Sequence, residues 1–564
     1  MKRPLAAHAA VFVLMALPAV AAEPVRASGG MVATENGIAA GVGADVLRQG
    51  GNAVDAAIAT AFAMAVTHTT AGNVGGGGFL VFRSAEGEAA AYDFRETAPA
   101  AASPTMFLKD GRYDAALHHE SLFAVGVPGT VAGLHMAWSE RGTRPWKGLL
   151  QPAIGLARDG FVVSDGLARS LLEVREDFAK HPPTLAQFSR DGRPLAAGDV
   201  LKQEDLARTL ERIAERGRDG FYRGETARLI AEEMRRGSGL ITEADLAAYE
   251  AQKRIPVKGS YRGWDILSMP PPSSGGTALL EILNVLEGYD LAASGYGSAL
   301  SVHRMAEAMR RAFADRARFI GDPGFNDAAP WERLRSKEYA QELRRSIRDD
   351  RASTSSAQSF EWPRESDETT HFSVIDAAGN AVALTYTLED GYGVKRVVPG
   401  AGFLLNNEMG DFNAGPGLTD ATGLIGTPPN LAAPGKRMLS SMTPTIATKD
   451  GSVLALGAAG GRSIINTVVR VLVNVIDHGM NLQAAVDAPR FHHQWLPDQI
   501  VVESHGLSPD TLDLLKARGH VLKVGGDFWG GRLQAVQRQP DGTLLGAPDR
   551  RTPDSAAVGV SPPR

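Results

Sequence analysis

The sequence predicts an α+β fold, because helical pattern is followed by paired strands and not by alternating parallel strand and crossover. Residues 38–48 and 53–66 carry Ala-rich helical pattern, after which Phe79-Leu80-Val81-Phe82 and Tyr92-Asp93-Phe94-Arg95 face each other across a charged turn. The contrast returns further on. Residues 200–250 repeat apolar side chains at helical spacing, whereas residues 372–376 and 381–387 read as a hairpin joined by Ala377-Ala378-Gly379-Asn380.

Composition sets the outer limits. At 564 residues, 44% apolar and 22% charged, the chain is globular in character, with length for about one to four domains. It has no cysteine, which excludes disulfides, thiolate zinc sites, iron–sulfur clusters and cysteine nucleophiles. Lys2 and Arg3, a nearly unbroken apolar run over residues 9–21 and Ala19-Val20-Ala21-Ala22 form an export signal, residues 1–22, ahead of Glu23. A membrane anchor fits less well, since the run is short and Pro18 interrupts it; no later segment reads as a membrane span. The expected location is periplasmic or secreted. Without Lys2 and Arg3 the charge balance is 57 basic to 64 acidic residues, which argues against nucleic acid as a partner. Arg310-Arg311 and Arg344-Arg345 read as solvated helix faces.

Taken in order, Gly50-Gly51 breaks the first helical stretch, and Asn52 caps the second with Asp55 in its first turn. Asn73-Val74-Gly75-Gly76-Gly77-Gly78 has neither Walker nor Rossmann spacing, so close backbone packing accounts for it. Gly126-Val127-Pro128-Gly129-Thr130 is a rigid turn before a helix. Leu206, Leu210 and Ile213, then Leu229, Ile230 and Met234, mark scaffold helices, and Thr242 with Asp245 makes a capping box. Tyr261 to Met269 alternates loosely, and Pro270-Pro271-Pro272-Ser273-Ser274 stiffens a backbone suited to lining a cleft. Residues 299–316 form a helix in which His303, with no histidine three or four positions away, is a packing or surface residue. Residues 351–368 are polar and weakly structured, a tether with too little apolar area to hold itself down.

Where the tether ends, Glu368-Thr369-Thr370-His371-Phe372-Ser373 puts a hydroxyl residue at the edge of a strand. Pairing Asp376 with Ala381 sets Thr369 opposite Leu388 and Thr370 opposite Thr387; one slip or bulge brings Thr387 beside Thr369. Phe403-Leu404-Leu405 is a third strand-like run, and residues 413–437 form a Gly/Pro-rich loop long enough to be a lid. Leu454-Ala455-Leu456, Gly460-Gly461 and a helix from about 464 follow. His492-His493 is a sequential pair whose rings diverge, a structural feature and not a chelate.

Several separated blocks carry a family resemblance: Asp93-Phe94-Arg95-Glu96-Thr97-Ala98-Pro99, Thr369-Thr370-His371-Phe372-Ser373-Val374, Asn406-Asn407-Glu408-Met409-Gly410-Asp411-Phe412, Lys436-Arg437-Met438-Leu439-Ser440-Ser441-Met442, and Gly460-Gly461. In that order they make the chain resemble a gamma-glutamyltranspeptidase (glutathione hydrolase) of the N-terminal nucleophile superfamily, over essentially the whole exported length. The resemblance implies a four-layer αββα body that cuts itself between Glu368 and Thr369. A large subunit, residues 23–368, and a small subunit, residues 369–564, would stay together as one body. It implies Thr369 as nucleophile, Thr387 holding its hydroxyl, and Gly460 and Gly461 turning amides toward the tetrahedral oxyanion. Arg95 would fork onto the glutamyl α-carboxylate, helped by Ser440 and Ser441, while Glu408 and Asp411 accept the α-ammonium. No cofactor and no metal are expected; the partners are the two chains of one precursor, a small γ-glutamyl donor, and water or an amine.

One position departs from the pattern. Better-known members of the family carry Asn where this chain has Glu389, in Tyr386-Thr387-Leu388-Glu389, and a carboxylate cannot donate as an amide does. Glu389 is therefore expected to alter donor or acceptor preference without abolishing γ-glutamyl chemistry. A related acylase or a poly-γ-glutamate hydrolase is the alternative reading, and a non-enzymatic binding protein a more distant one.

Overall fold

The computed structural model describes residues 22–355, 369–418, 426–525 and 530–561. The export segment up to residue 21, the tether from 356 to Glu368 and the middle of the 413–437 loop lie outside the described residues.

The frame is a pair of seven-stranded sheets. In chain order their strands are β1 Val25–Ala27, β2 Gly30–Thr34, β3 Gly77–Arg83, β4 Ala89–Phe94, β5 Gln252–Arg254, β6 Val257–Tyr261, β7 Trp264–Ser268, β8 Thr370–Asp376, β9 Ala381–Thr387, β10 Thr445–Lys449, β11 Ser452–Ala459, β12 Arg532–Arg538, β13 Leu544–Ala547 and β14 Ala556–Val560. The first sheet runs β5-β4-β3-β9-β8-β2-β14 and the second β1-β13-β12-β11-β10-β7-β6. All these pairings are antiparallel.

Alternation along the strands sorts the core into layers. Val32, Leu80, Phe82, Phe372 and Val374 pack on the side of helices α1 (Gly37–Arg48) and α2 (Ala53–Thr67). Their neighbours Met31, Ala33, Phe79, Val81 and Ile375 pack toward the second sheet. Helices α3 (Gly275–Leu286), α4 (Ala299–Phe319) and α5 (Ser463–Ile476) share that second core, giving helix, sheet, sheet, helix as the layer order. Strands from before residue 356 and after residue 368 interleave in both sheets. A chain broken at the tether would therefore stay joined by ladder hydrogen bonds and shared core.

Local signals behave as their chemistry dictates. Asn52 and Asp55 form a reciprocal capping box on α2, and Thr242 and Asp245 form another on Glu243–Ala248. The run from Tyr261 to Met269 belongs to a hairpin of β6 and β7. Two expectations fail. Phe403-Leu404-Leu405 is not a strand; Leu404 makes only an isolated bridge to Val397. Arg310 is not on a solvated face but 5% exposed, because Glu307 lies one turn away and Asp498 arrives from a distant loop to pair with it. Among the described residues no helix is long and apolar enough to cross a membrane.

The interior carries several neutral histidines. Burial pulls His371 down to about 3 and both His492 and His493 to about 4. An unfolded histidine takes up its proton near 6.5, so between pH 6.5 and 4 each of these three residues binds more protons in the unfolded chain than in the folded one. Each such histidine should cost stability as pH drops through that window, by about 1.4 kcal/mol per pH unit, while Glu96 and Glu408, raised to about 8 by burial, act in the opposite sense. Urea unfolding midpoints of the parent and of His492→Gln, measured from pH 7 to pH 4, check this: the difference between them should change with pH, and a constant difference contradicts it.

Candidate active site

Thr369 stands at the start of β8, and the hairpin register decides what lies across from it. Ile375, not Asp376, pairs with Ala381. The cause is the turn. Asp376 Oδ1 accepts from the amides of Gly379 (3.0 Å) and Asn380 (2.9 Å), while Asp376 N donates to Asn380 O at 3.1 Å. Gly379 takes φ +100°, which closes Asp376 on Asn380 over a three-residue loop. Thr370 then pairs with Tyr386, and the same ladder carried one step further sets Thr369 opposite Thr387. The expected opposition of Thr369 to Leu388 is corrected by that single residue.

Both threonines are held from behind. Arg532 Nη2 donates to Thr369 O at 3.3 Å, and its Nε pairs with the buried Glu35 at 2.9 Å. Asn73 Nδ2 donates to Thr387 O at 2.8 Å, and Glu389 N donates to Thr387 Oγ1 at 2.8 Å. The glycine run has the packing role expected of it. A Cβ on Gly76 would stand 2.1 Å from Thr387 O, and one on Gly78 2.3 Å from Thr385 O.

Arg95 follows β4 and is fully buried. It donates to Glu408 and Asp411, to Leu439 O at 3.0 Å and to Met438 O at 3.3 Å, with Glu96 3.8 Å away. Burial alone would pull its guanidinium down, but Glu408, Asp411 and Glu96 outweigh that and keep it charged. The acids feel the same burial in the opposite sense. Glu408 and Glu96 are each pushed up to about 8. Glu389 is raised well above its usual range by burial first, then by Asp390, Asp411 and Glu408. One cation thus serves a group of acids it cannot fully neutralise, an arrangement with room for a second positive charge.

Ser440 and Ser441 are fixed by the proline segment. Ser440 N donates to Pro272 O at 3.1 Å, and Ser440 O accepts from Ser274 N at 2.8 Å and Ser274 Oγ at 2.7 Å. Arg316, in the last turn of α4, donates to Ser274 Oγ at 2.7 Å and to Ser441 Oγ at 2.9 Å. The sequence reading missed Arg316. Its signal was available: Arg316 follows Ala312 and Phe313 at helical spacing, so a guanidinium falls on the core-facing stripe. Glu96 stands in the Asp93–Pro99 block but was given no role, and no local pattern marks His119 or Arg532.

Gly460 (φ +122°) and Gly461 (φ +52°) turn the chain from β11 into α5. Gly461 lines a pocket with Thr369, Thr387, Arg95 and Glu389. Glu408, Asp411, Ser440 and Ser441 complete its polar wall. Gly460 stands just outside that lining, where its Cβ would meet Gly531 Cα at 2.7 Å; Glu368 lies outside the described residues.

The histidines do different work. His303 Nδ1 meets His520 Nε2 at 2.8 Å, close to Glu307. Glu307 is already engaged by Arg310 and Arg311 and is pulled down to about 2 by them against its burial. That group reads as an ion-pair network, in keeping with His303 as a packing residue. His492 bonds Asn466 at 2.7 Å and His493 bonds Asp498 at 3.3 Å, so the sequential pair points to separate partners.

Comparison with known proteins agrees with this geometry. The family model described as gamma-glutamyltranspeptidase matches residues 39–559. The glutathione hydrolase proenzyme of Escherichia coli K12 is 49% identical over 541 residues, covering 95% of this chain and 93% of that protein. Among solved structures, cephalosporin acylase from Bacillus halodurans superposes with a TM-score of 0.85 at 29% identity, covering 98% of this chain and 100% of its own. Helicobacter pylori gamma-glutamyltranspeptidase matches with a TM-score of 0.55 at 42% identity, over 62% of this chain and 95% of its own.

Proposed function

The chain belongs to the gamma-glutamyltranspeptidase family, and from that premise we propose that Thr369 carries the acyl group of its reaction. The protein is an autoprocessing enzyme of γ-glutamyl transfer and hydrolysis, and its partners are the two chains of one precursor, a small donor and a water or amine acceptor. The observation that most supports the assignment is the convergence of Thr369, Thr387, Arg95, Glu408 and Asp411 on one pocket.

In the first half of the proposed mechanism Thr369 Oγ1 attacks the carbonyl carbon of Glu368. The C–N bond breaks as the C–O ester forms, and water opens the ester to leave a carboxylate at 368 and a free amine on Thr369. That amine has a reference pKa near 7.7, so it takes the Thr369 hydroxyl proton directly or through water. One residue then supplies nucleophile and base. Thr387 holds the hydroxyl, and the Gly460 and Gly461 amides receive the oxyanion.

Donor recognition follows from the ion pairs that Arg95 makes with Glu408 and Asp411 in the pocket. The α-carboxylate of a γ-glutamyl donor takes the Arg95 fork and the Ser440 and Ser441 hydroxyls, and its α-ammonium takes Glu408 and Asp411. A zwitterion inserted there exchanges the links of Arg95 to Glu408 and Asp411 for one between Arg95 and its carboxylate and others between its ammonium and the two acids, with no net charge added. The exported form is residues 23–564, released to the periplasm or the medium, with subunits 23–368 and 369–564.

Intact mass and N-terminal sequencing of the purified protein test the cut. Two chains are expected, the smaller starting at Thr369, with release of p-nitroaniline from γ-glutamyl-p-nitroanilide. An active protein recovered as one unbroken chain overturns the assignment.

The acylase reading deserves one direct comparison because of the 0.85 TM-score to a cephalosporin acylase. A glutaryl donor lacks the ammonium, so its carboxylate meets an acid-rich wall with no positive charge of its own to offset it. Glu389→Asn is expected to lower the γ-glutamyl to glutaryl ratio of kcat/KM by about tenfold, one lost charge contact. Unchanged ratios would remove Glu389 from substrate selection.

A further inference from the structure

Glu389 occupies a backbone conformation that side chains avoid, φ +80°, at a cost of about 1 kcal/mol or more. Its neighbours over-determine it. Glu389 N is tied to Thr387 Oγ1, Asp390 N donates to Asn407 Oδ1 at 3.0 Å, and Asn407 N donates to Leu388 O at 2.9 Å. So placed, the Glu389 side chain is buried, with Oε1 3.3 Å from His119 Nδ1.

Gly410 explains how so long a side chain fits. Its φ lies outside the range that favours glycine, so the backbone does not demand one there. Space does. A Cβ on residue 410 would stand 2.5 and 2.6 Å from the Glu389 carboxylate oxygens and 2.5 Å from His119 Nδ1. The carboxylate and the imidazole together fill the volume that any side chain at 410 would claim.

Resting on the γ-glutamyl reading of the pocket, we propose that His119, Glu389 and Gly410 form a size-matched trio that sets specificity for the donor's α-ammonium, with His119 the positioning residue that aims the Glu389 carboxylate. His119 is itself anchored. It ends the short helix Ala115–His119, its carbonyl accepts from Asn407 Nδ2 at 3.1 Å, and the adjacent His118 Nε2 bonds Met409 O at 3.1 Å. The charged groups around the pair are Asp390, Asp411, Glu408 and Arg95 about Glu389, and Asp390, Glu120 and Lys395 about His119. The acids next to Glu389 repel its negative form, so an unsupported carboxylate would take a proton or swing away. The imidazole, 3.3 Å from Oε1, and the space left by the missing Cβ at residue 410 together fix where the carboxylate lies, on the wall of the pocket that takes the incoming ammonium.

A double-substitution cycle tests the trio, with each variant first checked for the cut into two chains. Gly410→Ala alone should raise KM for γ-glutamyl-p-nitroanilide about tenfold with kcat changed less, because the added Cβ displaces Glu389. In a Glu389→Asn background, where the side chain is one methylene shorter, the same alanine should change KM by no more than about twofold. His119→Ala should raise donor KM, and His119→Gln, which keeps a hydrogen-bond donor, should restore part of it. Equal effects of Gly410→Ala in both backgrounds, an alanine tolerated without change, or a His119→Ala variant with the parent's KM overturns the trio. If Gly410→Ala is not recovered folded, the His119 pair decides by itself. Parent protein that is cut but shows no γ-glutamyl turnover overturns the donor reading, and the trio with it, whereas normal parent turnover without coupling overturns the trio alone.

Discussion

Thr369→Ala is expected to leave the chain whole and the γ-glutamyl reaction at background. Alanine has no oxygen to attack the carbonyl of Glu368, so the tether persists and no new amine appears. The residue that would have carried the acyl group is lost in the same step, so self-cutting and turnover fail together. Loss of a covalent nucleophile lowers kcat by about a millionfold in well-studied hydrolases, which places this variant below detection in an ordinary anilide assay. The fold should survive, since Thr369 precedes β8 and the ladder pairs begin at Thr370. Thr369→Ser keeps the oxygen and should still be cut. A denaturing gel with mass determination separates the cases, and normal cutting of the alanine variant would falsify the mechanism.

Arg95→Lys should be the next most damaging change, with kcat/KM for a γ-glutamyl donor reduced by about a hundredfold to a thousandfold. The lysine keeps the charge facing Glu408 and Asp411, so the acid wall is not left bare. It cannot, however, reproduce a guanidinium that serves two carboxylates and the carbonyls of Met438 and Leu439 at once. Donor binding should suffer more than self-cutting, because the cut needs Thr369 and its own backbone and no donor. Arg95→Leu goes further and buries acids without their cation, which typically costs about 3–5 kcal/mol; it should lower the unfolding midpoint as well. A lysine variant with kcat/KM within about twofold of the parent would remove Arg95 from donor binding.

Much of the scaffold follows from residues only a few positions apart. Asn52 with Asp55 and Thr242 with Asp245 start their helices by bonding their own backbone, and the strands about Ala377-Ala378-Gly379-Asn380 pair because a turn residue sits between two apolar runs. Such features need no knowledge of the remaining fold. The same holds for the edge position of Thr369, whereas the tight contacts of Gly76 and Gly78 are made with Thr387 and Thr385 of the distant strand β9.

What faced what was settled only by distant parts of the chain. Arg95 meets Glu408 and Asp411 across more than 300 residues, and Arg310 leaves solvent because Asp498 reaches it from 188 positions away. The hairpin moved by one residue because the Asp376 side chain chose the amides of Gly379 and Asn380, a hydrogen-bonding choice that strand periodicity cannot register. Short-range spacing encodes which face of an element is apolar, and that is enough for helices, strands and caps. Burying a charge, or sparing room at Gly410 for Glu389 and His119, depends on groups that only the packed sheets and loops bring within a few ångströms of one another.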